Sequence, residues 1–187
     1  MKGENILIRE DELIKRMEQG DQSAADELMS RYYPEILRYC IWHAPNQGLA
    51  EDATQEVFLK AIRYFDHYRH KGKFKAFLYQ IARNTCIDMQ RKKWLTDVSI
   101  EGMVDQFEYV EEGFEAVHEN LQLRQMVSSL AKHQQEIIIL RYSQELSLRE
   151  IAQIVDLPLR TVQSQLRSAL KKLKKALKGG KNEKFIR

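Results

Sequence analysis

The chain has 187 residues, 43% hydrophobic and 30% charged, with a formal net charge of +3 and a mean hydropathy of -0.53. That length suits one or two small domains with real cores, and no apolar run approaches the roughly 20 residues that span a bilayer, so stable membrane insertion is not expected. The N-terminus MKGENILIREDE lacks a secretory apolar region, and Cys40 and Cys86 have no CxxC partner and no histidine at metal spacing; the expectation is a cytoplasmic chain with reduced core thiols, no metal and no cofactor.

The small net charge hides an uneven distribution. Residues 60–93 hold ten Lys/Arg and two Asp/Glu, a balance of +8. Residues 94–123 hold eight Asp/Glu and no Lys/Arg, and residues 141–187 return to +8 with twelve Lys/Arg and four Asp/Glu. Two basic blocks parted by an acidic one fit two nucleic-acid surfaces joined by a segment that avoids DNA, although charge runs also mark plain solvated faces.

In chain order, the first block reads as helices. A short helix is predicted over about 10–19, ending at Gly20. Asp21 or Ser23 can cap a longer one through about 44, which carries Leu28, Met29, Tyr32, Tyr33, Ile36, Leu37, Cys40 and Ile41, with Pro34 placed to kink it. Pro45 to Gly48 reads as a loop. A third helix from about Ala50 to Phe65 turns Ala53, Val57, Phe58, Ala61 and Ile62 inward. A basic loop, Asp66 to Lys73, leads to a fourth helix over about 74–93. There Phe74, Phe77, Leu78, Ile81, Ala82 and Met89 face inward, while Gln80, Asn84, Asp88 and Arg91 share a polar face. Basic side chains interleaved with rings suit single-stranded nucleic acid, whose bases stack on aromatics. Phe65, Phe74 and Phe77 read as core; Tyr64, Tyr68 and Tyr79 can serve either purpose.

Residues 95 to about 115 lack sustained periodicity and read as an acidic linker. Beyond it, Leu121, Leu123, Met126, Val127 and Leu130 make one helix and Glu136 to Tyr142 another. Ser147 and Glu150 form an S-x-x-E capping box ahead of Leu148, Ile151, Ala152 and Val155. Asp156, Leu157 and Pro158 supply a turn. Thr161 lies in the cap region of a second helix with Val162, Leu166, Ala169, Leu170 and Leu173 inward and Arg160, Gln163, Ser164, Arg167 and Ser168 outward. This pattern reads as a helix-turn-helix whose outer face suits base edges and phosphates, or as an ordinary helical hairpin with a solvated face. The expected fold is all-α: two small helical domains, 1–94 and 116–178, joined by a flexible acidic linker, 95–115, with a basic tail, 179–187.

Three segments together resemble the extracytoplasmic-function sigma factors of bacterial RNA polymerase, in the sigma-70 family. They are EDATQEVFLKAI (Glu51–Ile62), FKAFLYQIARNTCIDMQRK (Phe74–Lys92) and the helix-turn-helix, in order and covering most of the chain. The resemblance implies a promoter-specificity factor without catalytic activity. It would bind core RNA polymerase, recognise promoter DNA as duplex and as melted strand, and be restrained by an anti-sigma factor. Asp52, Gln55, Glu56 and Phe58 match the segment that docks on the clamp helices of the largest polymerase subunit. His67 to Lys73 and the fourth helix match the region that opens the minus-ten element and captures a flipped base. Asn84 and Asp88 there face the strand, with Lys73, Lys75, Arg83, Arg91 and Lys92 on phosphates. In the second domain Thr161, Gln163, Ser164, Arg167 and Ser168 match the minus-thirty-five reader, with Arg160 and Lys171 on the backbone, joined by Lys172 and Lys175. The acidic linker fits the family's path through the RNA exit region, or serves as a solvated tether.

Two departures stand out. Phe77 replaces a tryptophan common among relatives, and Thr161–Ala169 carries fewer arginines than the usual TVKSRLHRA-like run. The alternative reading is a stand-alone, dimeric helix-turn-helix transcription regulator, which leaves the basic-aromatic block and DATQEVFLKA unused. An enzyme with a helix-turn-helix tail is the third. No Walker loop, metal cluster or nucleophile–base pair stands in the sequence to support it.

Overall fold

A computed structural model describes the backbone of residues 2–68, 73–95 and 123–183, and the side chains of residues 10–68, 73–91 and 123–177. Every element among the described residues is helical, as the periodicities predict. The chain divides into two units, Met1–Gln106 and Phe107–Arg187. The expected linker, with Val104, Phe107, Tyr109 and Val110, lies outside the described residues apart from its first, Leu95.

The first unit is built from α1 (Lys2–Glu18), α2 (Gln22–His43), α3 (Gln47–Arg63) and α4 (Phe74–Leu95). The first of these starts well before residue 10, because Gly3 and Asn5, both weak helix formers, masked its opening turns. Its end is where the sequence puts it. Gly20 takes φ +86, and the Asp21 amide donates back to the Arg16 carbonyl at 3.0 Å, closing the helix with a left-handed residue. Asp21 then caps α2, accepting from the backbone N–H groups of Ser23 at 2.9 Å and Ala24 at 3.4 Å. Pro34 is accommodated inside α2. The loop expected over Pro45 to Gly48 is shorter: Asn46 accepts from Leu49 N–H at 2.9 Å as the cap, and α3 begins at Gln47.

Small residues explain how α3 packs. Ala50, Ala53, Thr54, Val57 and Ala61 are buried, so neighbouring backbones can approach both flanks of the helix, and α3 packs against both α2 and α4. The rest of this unit's core includes Leu13 and Ile14 on α1, which packs against α2, together with Leu28, Ile36, Tyr39, Phe74, Leu78 and Ala82. Removing one large aliphatic or aromatic side chain of this kind from water contributes about 1.5–3 kcal/mol. Tyr79, whose sequence fits either core or ligand contact, is fully buried edge-on to Tyr39, with ring centroids 5.5 Å apart. Burial and the carboxylate of Glu35 raise its phenol pKa above the ordinary value. Cys40 and Cys86 are both buried and not joined; a hydrogen bond from Cys86 draws the Cys40 thiol below its ordinary pKa.

In the second unit, residues 123–128 form α5, followed by α6 (Lys132–Ile138), a π turn (Ile139–Ser143), α7 (Leu148–Ile154) and α8 (Leu159–Glu183). Four successive residues, Ile137 to Leu140, are all buried. No single helix face could achieve that, and the run is therefore enclosed from several sides. The widened turn after it is closed by Gln144 N–H donating to the Ile139 carbonyl at 3.2 Å. Ile154, not Val155, shares the inward face of α7 with Ile151. Val155 is the C-cap and only half-buried.

Candidate functional site

Three exposed faces carry the residues singled out from the sequence. The first is on α3. Asp52, Gln55, Glu56, Leu59, Ile62 and Arg63 are all exposed and fall at helical spacings of three and four, so one stripe combines carboxylates with uncovered aliphatics. Leu59 is 59% exposed and Ile62, predicted to point inward, is 53% exposed. Phe58 is buried instead, stacked on Tyr33 with centroids 6.0 Å apart. It forms the floor of an open groove of about 520 Å³ between α2 and α3, whose walls include Met29, Tyr33, Gln55, Leu59 and Ile62. Glu56 forms an i,i+4 ion pair with Lys60 at 3.5 Å. Sequence reasoning missed Leu59 and Tyr33. The available signal was that α3 has more apolar positions than one inward face can cover.

The second face is on α4. Gln80, Asn84, Asp88 and Arg91 are exposed along one side, as the spacing predicts, with Arg83 half-buried beside them. Lys75 is drawn elsewhere: its ammonium lies 2.8 Å from Glu35 on α2. Lys73 is exposed, and its backbone N–H donates to the Tyr68 hydroxyl at 3.3 Å. The Tyr68 ring packs on Phe77 at 5.0 Å and edge-on to Phe74 at 5.5 Å, so it is committed mainly to the core. Tyr64 remains the exposed ring of the three tyrosines. Residues 69–72 of the expected base-capturing loop, and the side chain of Lys92, lie outside what is described.

The third face is on α8 and depends on the turn before it. The capping box forms in full: Ser147 N–H donates to Glu150 Oε2 at 2.8 Å, and Glu150 N–H donates to Ser147 Oγ at 3.3 Å. Asp156 adopts φ +54 and the Leu157 amide donates to the Ala152 carbonyl at 3.0 Å, which ends α7 and redirects the chain. The Pro158 carbonyl accepts from Thr161 and Val162 N–H and opens α8. Thr161 is therefore inside the first turn and is not its cap. Val162, Leu166 and Ala169 are buried, while Leu170 is partly exposed. Arg160, Ser164, Arg167 and Lys171 fall at i, i+4, i+7 and i+11, and all four are exposed. Gln163 is half-buried at the edge of this stripe. Ser168 sits on the opposite flank, where its hydroxyl accepts from Gln134 at 3.2 Å.

The arrangement can bind polyanions and apolar partner surfaces. Among the described residues no group of three or more His, Cys, Asp or Glu is placed to hold a metal ion. No described helix is long and apolar enough to cross a membrane.

Residues 28–96 match the family model Sigma-70 region 2, and residues 120–173 match Sigma-70, region 4. The chain is 32% identical over 177 residues to the ECF RNA polymerase sigma factor SigW of Bacillus subtilis, covering 88% of this chain and 95% of that one. It is also 32% identical over 166 residues to the ECF RNA polymerase sigma-E factor of Escherichia coli K12, covering 82% and 86%. Among solved structures, the fold matches CnrH in complex with the cytosolic domain of CnrY, with a TM-score of 0.71 at 20% identity, over 91% of this chain and 98% of that one. It also matches the sigma factor RpoE of Bartonella quintana, solved with the anti-sigma factor NepR, with a TM-score of 0.63 at 21% identity over 82% and 96%.

Proposed function

The chain belongs to the extracytoplasmic-function sigma factors of the sigma-70 family, and from that premise we propose how its exposed faces divide the work. As a sigma factor it binds core RNA polymerase, recognises promoter DNA and helps to open it. Residues 1–94 take polymerase binding and the minus-ten element, 95–115 form the linker, 116–178 take the minus-thirty-five element, and 179–187 form a basic tail.

On α3, Asp52, Gln55 and Glu56 meet a basic partner surface on the polymerase clamp, and Leu59 and Ile62 supply the apolar contact beside them. Phe58 supports this face from beneath. On α4, Asn84 and Asp88 face the extruded strand, with Lys73, Arg83, Arg91 and Lys92 on phosphates; Lys75 has a smaller part because of its pairing with Glu35. Opening a duplex without ATP requires that binding of the displaced bases offset their lost stacking. On α8, Ser164 and Arg167 read base edges with Gln163 at the rim, Arg160 and Lys171 hold phosphates, and Thr161 and Ser168 flank them.

The observation that carries this reading is the exposed stripe Arg160–Ser164–Arg167–Lys171 on α8, a helix entered through a formed turn from α7, which itself begins with a complete capping box. The protein acts in the cytoplasm, where its polymerase is, and performs no covalent chemistry. An anti-sigma factor is a further partner, a reading supported by the fold shared with a sigma factor solved in such a complex. The negative charge of the linker suits the path by which nascent RNA leaves, where it would stand in for the transcript, or serves a solvated tether.

Run-off transcription with purified core polymerase, with and without the protein, tests the proposal. Specific start sites should appear only when the protein is added. Absence of both transcripts and co-purification with core would instead favour a regulator that acts alone.

A further inference from the structure

The helix-turn-helix unit contains a buried amide that its apolar core does not require. Gln134 on α6 is 4% exposed, and both ends of its side chain are taken up by α8. Its Oε1 accepts from Lys172 Nζ at 2.9 Å; its Nε2 donates to Gln165 Oε1 at 3.1 Å and to Ser168 Oγ at 3.2 Å. His133 Nε2 pairs with the same Gln165 oxygen at 2.9 Å. The next residue, Gln135, donates to the carbonyls of Ser128 at 2.9 Å and Leu130 at 2.7 Å. The helix that carries the clamp is thus itself fastened to the turn before it.

The three clamped residues of α8 stand at i, i+3 and i+7. Each directly follows a member of the exposed stripe: Gln165 after Ser164, Ser168 after Arg167, Lys172 after Lys171. Whatever fixes one row therefore fixes the other. The apolar seam through Val162, Leu166 and Ala169 is non-directional and tolerates small rotations of the helix. Hydrogen bonds do not, because they weaken steeply as their angles open. A rotation of about 10° about the helix axis displaces a side-chain tip by about 1 Å, enough to spoil a base-edge contact.

We infer that Gln134 is a positioning residue for minus-thirty-five recognition: its amide sets the rotation of α8 about its own axis and so aims Ser164 and Arg167 at the bases. The inference rests on the assignment of that stripe to the minus-thirty-five element. Gln134 itself touches no DNA; it acts through Gln165, Ser168 and Lys172.

The test uses the full-length protein with core polymerase on two promoters that share a minus-ten element, one with its minus-thirty-five element intact and one with it scrambled. The readout is the ratio of their transcription. Gln134→Leu keeps the volume and should lower this ratio about tenfold, the scale of one lost base-edge contact, without changing output from the scrambled promoter. Gln134→Glu retains the bond to Lys172 and accepts from the Ser168 hydroxyl, so it should recover most of the ratio. Lys172→Met removes one arm of the clamp at an exposed site; it should lower the ratio by a smaller factor and add nothing in combination with Gln134→Leu. An unchanged ratio in folded Gln134→Leu, or an equal loss on both promoters, overturns the inference. Should Gln134→Leu fail to fold, an unchanged ratio in Lys172→Met overturns it. Arg167→Ala runs in parallel: if that variant also leaves the ratio unchanged, the minus-thirty-five assignment of α8 is what has failed.

Discussion

Lys75 on α4 and Glu35 on α2 meet at 2.8 Å, and Tyr79 donates to the same carboxylate oxygen at 3.5 Å. A cation engaged within its own unit must give up that partner before it neutralises a phosphate. Lys75→Ala should therefore leave the salt dependence of promoter binding by the holoenzyme close to that of the unaltered protein. Arg91→Ala, on the exposed face of the same helix, should flatten the slope of log K against log salt by about one. Equal slopes for the two variants would return Lys75 to the DNA contacts.

The Ser23 hydroxyl and the Arg16 guanidinium both donate to the Asp21 carboxylate, and these bonds hold its pKa at about 2 against an ordinary 3.8. A pKa lowered by folding contributes stability above the unfolded value, and that contribution is lost as pH falls through 3.8 towards 2. Asp21→Asn keeps an acceptor for the α2 cap but removes the charge. Its unfolding temperature should lie below that of the unaltered protein near neutrality, and the two should converge at the acid end. A constant difference across the acid range would show that charge at Asp21 is not what matters.

Left-handed residues close two of the helices, and they should respond oppositely to substitution. Gly20 has φ +86 with no atom within 4 Å of where a Cβ would stand, so Gly20→Ala should cost about 1 kcal/mol on conformational grounds alone. Asp156, with φ +54, already bears that strain, and Asp156→Gly should stabilise the second unit by about 0.5–1 kcal/mol. Denaturant midpoints at constant slope would measure both. A neutral Gly20→Ala would mean that the α1–α2 corner can relax.

Leu59 and Ile62 are exposed, so charging them should not disturb the core. Leu59→Asp and Ile62→Lys should each weaken binding to core polymerase by tenfold or more, about 1.4 kcal/mol, with little change in unfolding temperature. Undiminished co-purification with core would remove α3 from the docking face.

Arg167→Ala should reduce promoter use by about 1–3 kcal/mol in a sequence-dependent way. A uniform loss across promoters with different minus-thirty-five sequences would make Arg167 a phosphate contact.

Much of this was legible in the sequence where the determinant is local. The Asp21 cap, the Ser147–Glu150 box, the stop at Gly20 and the turn at Asp156 each depend on a few adjacent residues, and each formed as read. Which side of a helix is covered depends on its neighbours, which the periodicity of a single helix does not carry. Ile62 has the same periodicity as Phe58 and yet is open, because α2 and α4 cover only part of α3. Tyr79 carries a hydroxyl that suggested the surface, but Glu35 and Tyr39 give it a buried setting. Gln134 had no signal: a glutamine in the polar stretch three positions before a buried isoleucine run looks solvated until α8 is placed against it. The roles of Asp52, Asn84 and their neighbours came from resemblance, since exposed polar side chains at helical spacing do not by themselves name a partner.

The uncovered aliphatic stripe on α3 also has a calorimetric consequence. Water against Leu59 and Ile62 carries excess heat capacity, which any partner settling on that face releases. Association through this stripe must therefore grow more exothermic as temperature rises, whereas association governed by phosphate contacts is marked by its response to salt. The two modes of attachment built into this chain are distinguishable by temperature and ionic strength alone.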